Sequence, residues 1–128
     1  IYDFNSGAEG WTDWNILLDE RGGPNHVGNF CFAPIHADTR TGKLIYTNSY
    51  YYIGHFSKFI RPGARRIVAA ASRSMLLTTA FVNQDGTVVV VVMNPTPKGG
   101  QYNLVVGSSS MEIRSLPHSI QTVVFKAS

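Results

Sequence analysis

The sequence predicts a mainly β chain: an antiparallel β-sandwich in its C-terminal half, preceded by a single strand–loop–helix unit. Three observations lead there. Past Gly63 the chain breaks into short β-branched or apolar runs separated by turn residues, at the spacing of a sandwich. Only one stretch, Tyr52 to Ile60, carries apolar residues at helical spacing. Ahead of it, the tryptophan-rich run Gly10-Trp11-Thr12-Asp13-Trp14-Asn15 leads into a long Gly/Pro/Asn loop.

The 128 residues are enough for about one domain with a real core. A hydrophobic content of 44% with 15% charged residues argues against disorder. The net charge of +3 is small and the basic residues are scattered, apart from Arg65-Arg66, so no nucleic-acid stripe is expected. Cys31 is the lone cysteine, which leaves no intrachain disulfide and keeps the redox compartment open. The longest apolar run, Val88 to Met93, is too short to span a bilayer. No signal peptide is visible, and a start at Ile1 rather than Met reads as a mature or truncated piece.

In chain order, Ile1 to Glu9 reads as a short apolar start followed by a Ser-Gly turn. Trp11 to Leu18 is a strand candidate whose tail, Ile16-Leu17-Leu18, should be buried. Asp19 to Asn29 is loop by its Gly and Pro content. Phe30 to Ala37 is apolar enough for a short strand, and Leu44-Ile45-Tyr46 for another brief extended run. Thr39 to Lys43 is the turn between them, with Gly42 at positive φ. Thr47, Asn48 or Ser49 can cap the helix that follows. Its apolar face is Tyr52, Ile53, Phe56, Phe59 and Ile60, and Arg61-Pro62-Gly63 stops it. The strand runs are Arg66 to Ser72, Leu76 to Asn83, Thr87 to Asn94, Gln101 to Val106, Met111 to Ser115 and Ile120 to Lys126. Asn83-Gln84-Asp85-Gly86 is a hairpin turn, and Val88 to Val92, apolar without alternation, reads as a central strand covered on both faces.

Two parts result, residues 1–63 and 64–128. One strand and one helix cannot bury both faces of that strand. The simplest account makes Trp11 to Ile60 the last unit of a larger α/β barrel whose other units lie upstream. The same segment has the residues of a wet, concave site. Trp offers a flat apolar face with one N–H donor, suited to sugar rings. Asn offers a donor and an acceptor to hydroxyls.

These residues resemble a known family. Gly10 to Asn15, Asp19-Glu20-Arg21-Gly22-Gly23-Pro24-Asn25, Asn29-Phe30, Ala33-Pro34-Ile35, Tyr52 to Ile60, Asp85 to Asn94 and Pro117 to Thr122 are similar, in the same order, to the C-terminal third of the glucosylceramidase-like enzymes of glycoside hydrolase family 30. The resemblance implies a TIM-type (β/α)8 barrel with an attached β-sandwich, and a retaining β-glycosidase that hydrolyses β-glucosides or related glycosides. By it, Trp11 to Asn15 corresponds to the eighth barrel strand. Trp14 would wall the glycone subsite, with Asn29 and Phe30 at its rim, where barrel active sites sit. It also implies a carbohydrate or glycoside substrate, a partner in the remainder of the barrel on the same or another chain, and a secreted, periplasmic or lysosomal-type location.

Retaining glycosidases use two carboxylates about 5 Å apart. The resemblance puts both on earlier strands, upstream of Ile1, so no catalytic residue is expected in this chain and the chain alone should be inactive. Asp13, the acidic residue nearest the site motif, is read as a hydrogen-bonding partner that orders the strand end. His26, His36, His55 and His118 lack metal-ligand spacing, and no phosphate-binding glycine loop is present, so neither metal nor cofactor is expected. His55 is read as a packed histidine. The rival to a glycosidase portion is an independent β-sandwich module that binds carbohydrate or another protein. The orphan Trp11 to Phe30 segment speaks against it.

Overall fold

The structure is a computed structural model, described here for residues 1–126. Its elements are α1 (Tyr2–Asn5), β1 (Leu17–Asp19), β2 (Ile35–Asp38), β3 (Lys43–Tyr46), α2 (Asn48–Ser57), β4 (Arg65–Ile67), β5 (Leu77–Val82), β6 (Thr87–Asn94), β7 (Gly100–Val106), β8 (Ser109–Ser115) and β9 (Ser119–Lys126). Two compact units form, one from Glu9–Gly54 and one from Ile1–Ala8 together with the chain from His55 onward.

The larger unit is a β-sandwich. One sheet has the order β4-β5-β6-β9, and the other is the β7-β8 ribbon. All its pairings are antiparallel. The run Thr87–Asn94 is β-branched almost throughout, which suits a pleated strand packed on both sides, and it lies centrally between β5 and β9. Alternate residues of β6 face opposite ways. Ala80, Val88, Val90 and Val92 form the core between the sheets, with Tyr102 and Leu104 of the ribbon and Phe125 of β9 packed on it. The opposite face carries the fully buried Val89 and Val91 and the buried Phe81. Phe4 of α1 stands edge-on to Phe81, with ring centroids 5.5 Å apart, and tilts against Phe56 of α2. The central strand is covered on both faces, as expected.

The Asp-Gly turn between β5 and β6 forms with Gly86 at φ 79°. Asn83 fixes it to the segment after α2: its Oδ1 accepts from Arg61 N–H at 3.0 Å and its Nδ2 donates to Phe59 C=O at 3.0 Å. Asn94, almost wholly buried at the far end of β6, donates to Lys98 and Leu116 carbonyls and accepts from the N–H and hydroxyl of Thr96.

The smaller unit departs from the sequence reading in three places. First, the short extended runs read at Phe30 to Ala37 and Leu44 to Tyr46 contribute β2 and β3 to a three-stranded sheet, with β1 parallel to β2 and β2 antiparallel to β3, so the unit is more than one strand, a loop and a helix. Second, the strand expected over Trp11 to Leu18 is confined to Leu17–Asp19. Trp11 to Ile16 is irregular, and Asn15 takes a left-handed φ of 48°: the Ile16 carbonyl accepts from Ile35 N–H, but among the described residues no strand pairs with the backbone of Trp11 to Asn15. Of the tail expected to be buried, only Leu18 is. Third, the Thr47 hydroxyl does not cap a backbone N–H. It reaches the Ala33 and Pro34 carbonyls and the Ser49 hydroxyl, tying the start of α2 to the start of β2. The turn before β3 has Gly42 at φ 69°, as expected. Of the expected helix face, Tyr52, Ile53 and Phe56 lie in α2 and are half-buried, Phe59 and Ile60 fall past its end at Ser57, and Tyr50 and Tyr51 are exposed. The expected start-and-turn over Ile1 to Glu9 contains the single turn α1, closed by Ser6 and by Gly7 at φ 99°.

Candidate functional site

The loop from Asp19 to Pro34 is built on its own hydrogen bonds. The Asp19 carboxylate accepts from Arg21 N–H at 2.8 Å and Gly23 N–H at 2.9 Å, an Asx-type turn. Those two N–H groups are the leading reason its carboxyl is held below the usual aspartate range, with the Arg21 charge adding to the effect. Asp19 N–H donates to Gly23 C=O, and Gly22 N–H donates to Asp19 C=O. The Gly22 carbonyl then accepts from Cys31 N–H at 3.3 Å and from the Asn25 side chain at 3.0 Å. Gly22 is required here. It has φ 71°, and a Cβ would collide with the Cys31 backbone. Asn25 Nδ2 also donates to Asn29 C=O, which folds the tip back on the base. Glu20 reaches out of the loop to Thr39, accepting from its N–H and hydroxyl, and the Thr39 N–H is the main cause of its lowered pKa.

Phe30 and Asn29 lie together in this loop. Phe30 is 51% exposed, packs edge-on to Phe32 at 4.9 Å and stacks within 14° of parallel on His36 at 5.7 Å. Asn29 is exposed, and its Oδ1 lies 3.9 Å from the Cys31 thiol. Trp14 is 54% exposed in the irregular segment before β1. Its own N–H donates to the Asp13 carboxylate at 2.8 Å, so Asp13 orders this backbone locally although no strand ends there. Asn29 and Phe30 are thus brought together, whereas Trp14 makes no ring pair with Phe30 among the described residues.

Chemically, the segment offers flat apolar faces beside amide groups on a loop with a tightly bonded base. Groups of these kinds suit hydroxylated, amphipathic ligands. Its carboxylates are spent on backbone N–H groups.

Sequence reasoning passed over two residues that build the loop. Asp19 was legible in the spacing Asp19-x-x-Gly22-Gly23, which suits an Asx turn. His36 was weighed as a metal ligand only. Its signal was a polar ring at an inward position of the short strand Ile35–Asp38, where it is 7% exposed. His55, read as packed, is half-buried with Nδ1 2.9 Å from the Thr122 hydroxyl, and desolvation lowers its pKa.

Residues 1–60 match the model of the glycosyl hydrolase family 30 TIM-barrel domain, and residues 63–123 match that of the family 30 beta sandwich domain. Lysosomal acid glucosylceramidase of Mus musculus is 46% identical over 86 residues, which are 66% of this chain and 17% of that protein. Putative glucosylceramidase 3 of Caenorhabditis elegans is 34% identical over 130 residues, covering 98% of this chain and 25% of its own length. Among solved structures, SrfJ from Salmonella typhimurium superposes with a TM-score of 0.94 at 36% identity, over 98% of this chain and 28% of that one. The endo-beta1,6-glucanase BT3312 superposes with a TM-score of 0.80 at 26% identity, over 89% of this chain and 26% of that one. The chain therefore spans about a quarter or less of the curated relatives it matches.

Proposed function

The chain belongs to glycosyl hydrolase family 30, and from that premise we propose that it is the C-terminal portion of a retaining β-glycosidase. In this reading residues 1–63 are the last β/α unit of a TIM-type barrel with its active-site loop, and residues 64–128 are the β-sandwich side domain. The upstream barrel supplies both catalytic glutamates. This chain supplies a subsite wall, with Trp14 as the sugar platform and Asn29 and Phe30 at the rim. Relatives named as glucosylceramidases and as an endo-beta1,6-glucanase favour a glucoside as the substrate class.

The observation that carries the reading is the crowd of exposed large apolar side chains on one short segment. Trp11, Trp14, Ile16, Leu17, Val27, Phe30 and Phe32 all stand in solvent between residues 11 and 32. Neighbouring barrel strands would cover part of that surface and sugar the rest. In the complete site, ring faces stack on the apolar face of the pyranose and amides bind its hydroxyls. These contacts orient the glycosidic bond for carboxylates held elsewhere.

The test is a pair of assays. The purified 128-residue chain, incubated with aryl β-glucoside, β-xyloside and β-fucoside, should release nothing above buffer. Restoring the upstream barrel polypeptide should restore turnover. Turnover by the chain alone would overturn the proposal, as would no turnover with the barrel restored. Aryl glucoside binding by the isolated chain, unaffected by Trp14→Ala, would instead support the free-standing module.

A further inference from the structure

We propose that His36 is a positioning residue for the sugar-facing ring of Phe30. Held as one neutral tautomer between the two ends of the loop, it is the fixed plate on which Phe30 stacks. The proposal rests on the reading of Phe30 as a subsite residue.

The hydrogen bonds determine the tautomer. Ala33 N–H is an obligate donor and lies 3.1 Å from His36 Nε2, so Nε2 accepts. The Asp19 carbonyl is an obligate acceptor and lies 2.8 Å from Nδ1, so Nδ1 donates. Only the neutral Nδ1–H form meets both. The ring thereby joins Asp19, where the loop leaves β1, to Ala33, just before the loop enters β2. Its 7% exposure makes both bonds consequential, because an apolar residue here would strand a buried Ala33 N–H.

The ring's face is then fixed, and Phe30 lies on it nearly parallel, with Phe32 edge-on to Phe30. Phe30 is thereby braced while about half exposed. An aromatic wall held this way has little freedom left to lose when sugar binds. A wall released from its brace must be ordered at the moment of binding. That cost falls on KM and leaves kcat alone, since Phe30 touches no reacting bond.

Two measurements test this. In the unaltered chain, long-range ¹H–¹⁵N correlation of the imidazole should show a protonated, pyrrole-type Nδ1 and a pyridine-type Nε2. Cross-relaxation should link the Phe30 ring to the His36 ring. An Nε2–H tautomer, averaged nitrogen shifts or missing ring contacts would overturn the proposal without any variant having to fold. In the full-length enzyme, His36→Phe keeps a stacking face but loses both hydrogen bonds, and His36→Gln keeps polar groups but loses the face. Each should raise KM for an aryl β-glucoside about 3- to 10-fold, the ordering cost of one aromatic side chain, with kcat within about twofold. A lowered kcat at unchanged KM, tracking only the folded fraction, would overturn it. Phe30→Ala separates the two ideas. If it leaves KM unchanged, the subsite reading fails whatever the tautomer. If it raises KM while both His36 variants do not, the subsite stands and the brace alone fails.

Discussion

The strand Thr87–Asn94 and the segment Trp11–Phe32 are both rich in large apolar residues, yet the structure treats them oppositely. From Val88 to Val92 every side chain is buried, and both strand edges are paired. From Trp11 to Phe32 the aromatic rings stand in solvent, and only Leu17–Asp19 is a strand. Apolar content does not distinguish them. What does is whether the described residues supply neighbours for the segment: β5, β9, the ribbon and α1 close over β6, while Trp11 to Asn15 has no partner strand among the described residues. A self-sufficient strand uses its apolar residues for stability. In the segment with the tightly bonded loop base, the rings are left uncovered by the described residues.

The largest effect should come from placing a charge on each side of this contrast. Val91→Asp puts a carboxyl at a fully buried site and should cost about 4 kcal/mol or more, enough to abolish a cooperative thermal transition. Phe32→Asp, at a position 80% exposed, should shift stability by less than about 0.5 kcal/mol. Equal losses in thermal melts would erase the contrast. Hydrogen exchange sharpens it further: amides of Val88 to Val92 should exchange slowest, near the global unfolding free energy, and those of Trp11 to Ile16 fastest. Fast exchange across β6 would contradict the sandwich as the stable body.

Next comes Asn94→Ala. It strands the Lys98 and Leu116 carbonyls and the Thr96 N–H, and should destabilise by about 2–3 kcal/mol in denaturant titration. Trp14→Ala is the counterpart on the bare side. Stability of the chain should change by less than about 0.5 kcal/mol. In the full-length enzyme, sugar binding or turnover should fall by about 1–3 kcal/mol, if stacking on a sugar compares with stacking on a base. A variant that unfolds yet keeps normal kinetics in its folded fraction would make Trp14 ordinary core.

The smallest effect concerns pH. Desolvation holds the His55 pKa below 6.5 in the folded chain, so the unfolded chain binds the proton more readily. Its contribution is therefore fully present above the unfolded value, and is lost as pH falls through about 6.5 toward the lower folded value. Melts from pH 8 to pH 5 should show this slope, flattened in His55→Gln. An unchanged slope would remove His55 from the account.

Much of the sandwich was legible because its signals are local. β-branched runs and the Asp85-Gly86 turn each act within a few residues, and the strand Thr87–Asn94 matches the sequence reading end to end, whereas the helix ends at Ser57, ahead of the Arg61-Pro62-Gly63 stop read from the sequence. The stripe Tyr52, Ile53 and Phe56 likewise specified the inward side of α2. The sequence also carried the residues that mark the family and the rings and amides of the candidate site.

Tertiary structure alone decided which apolar residues are covered. A buried strand needs another strand to pair with its backbone, and among the described residues Trp11 to Asn15 has none, so an aromatic pattern that reads as strand is irregular. It also decided the role of His36. A histidine's task depends on what faces its two nitrogens, and those partners, Asp19 and Ala33, lie 17 and 3 residues away along the chain. No local spacing rule reaches across such a loop. The fold alone puts an obligate acceptor on one side of the ring and an obligate donor on the other.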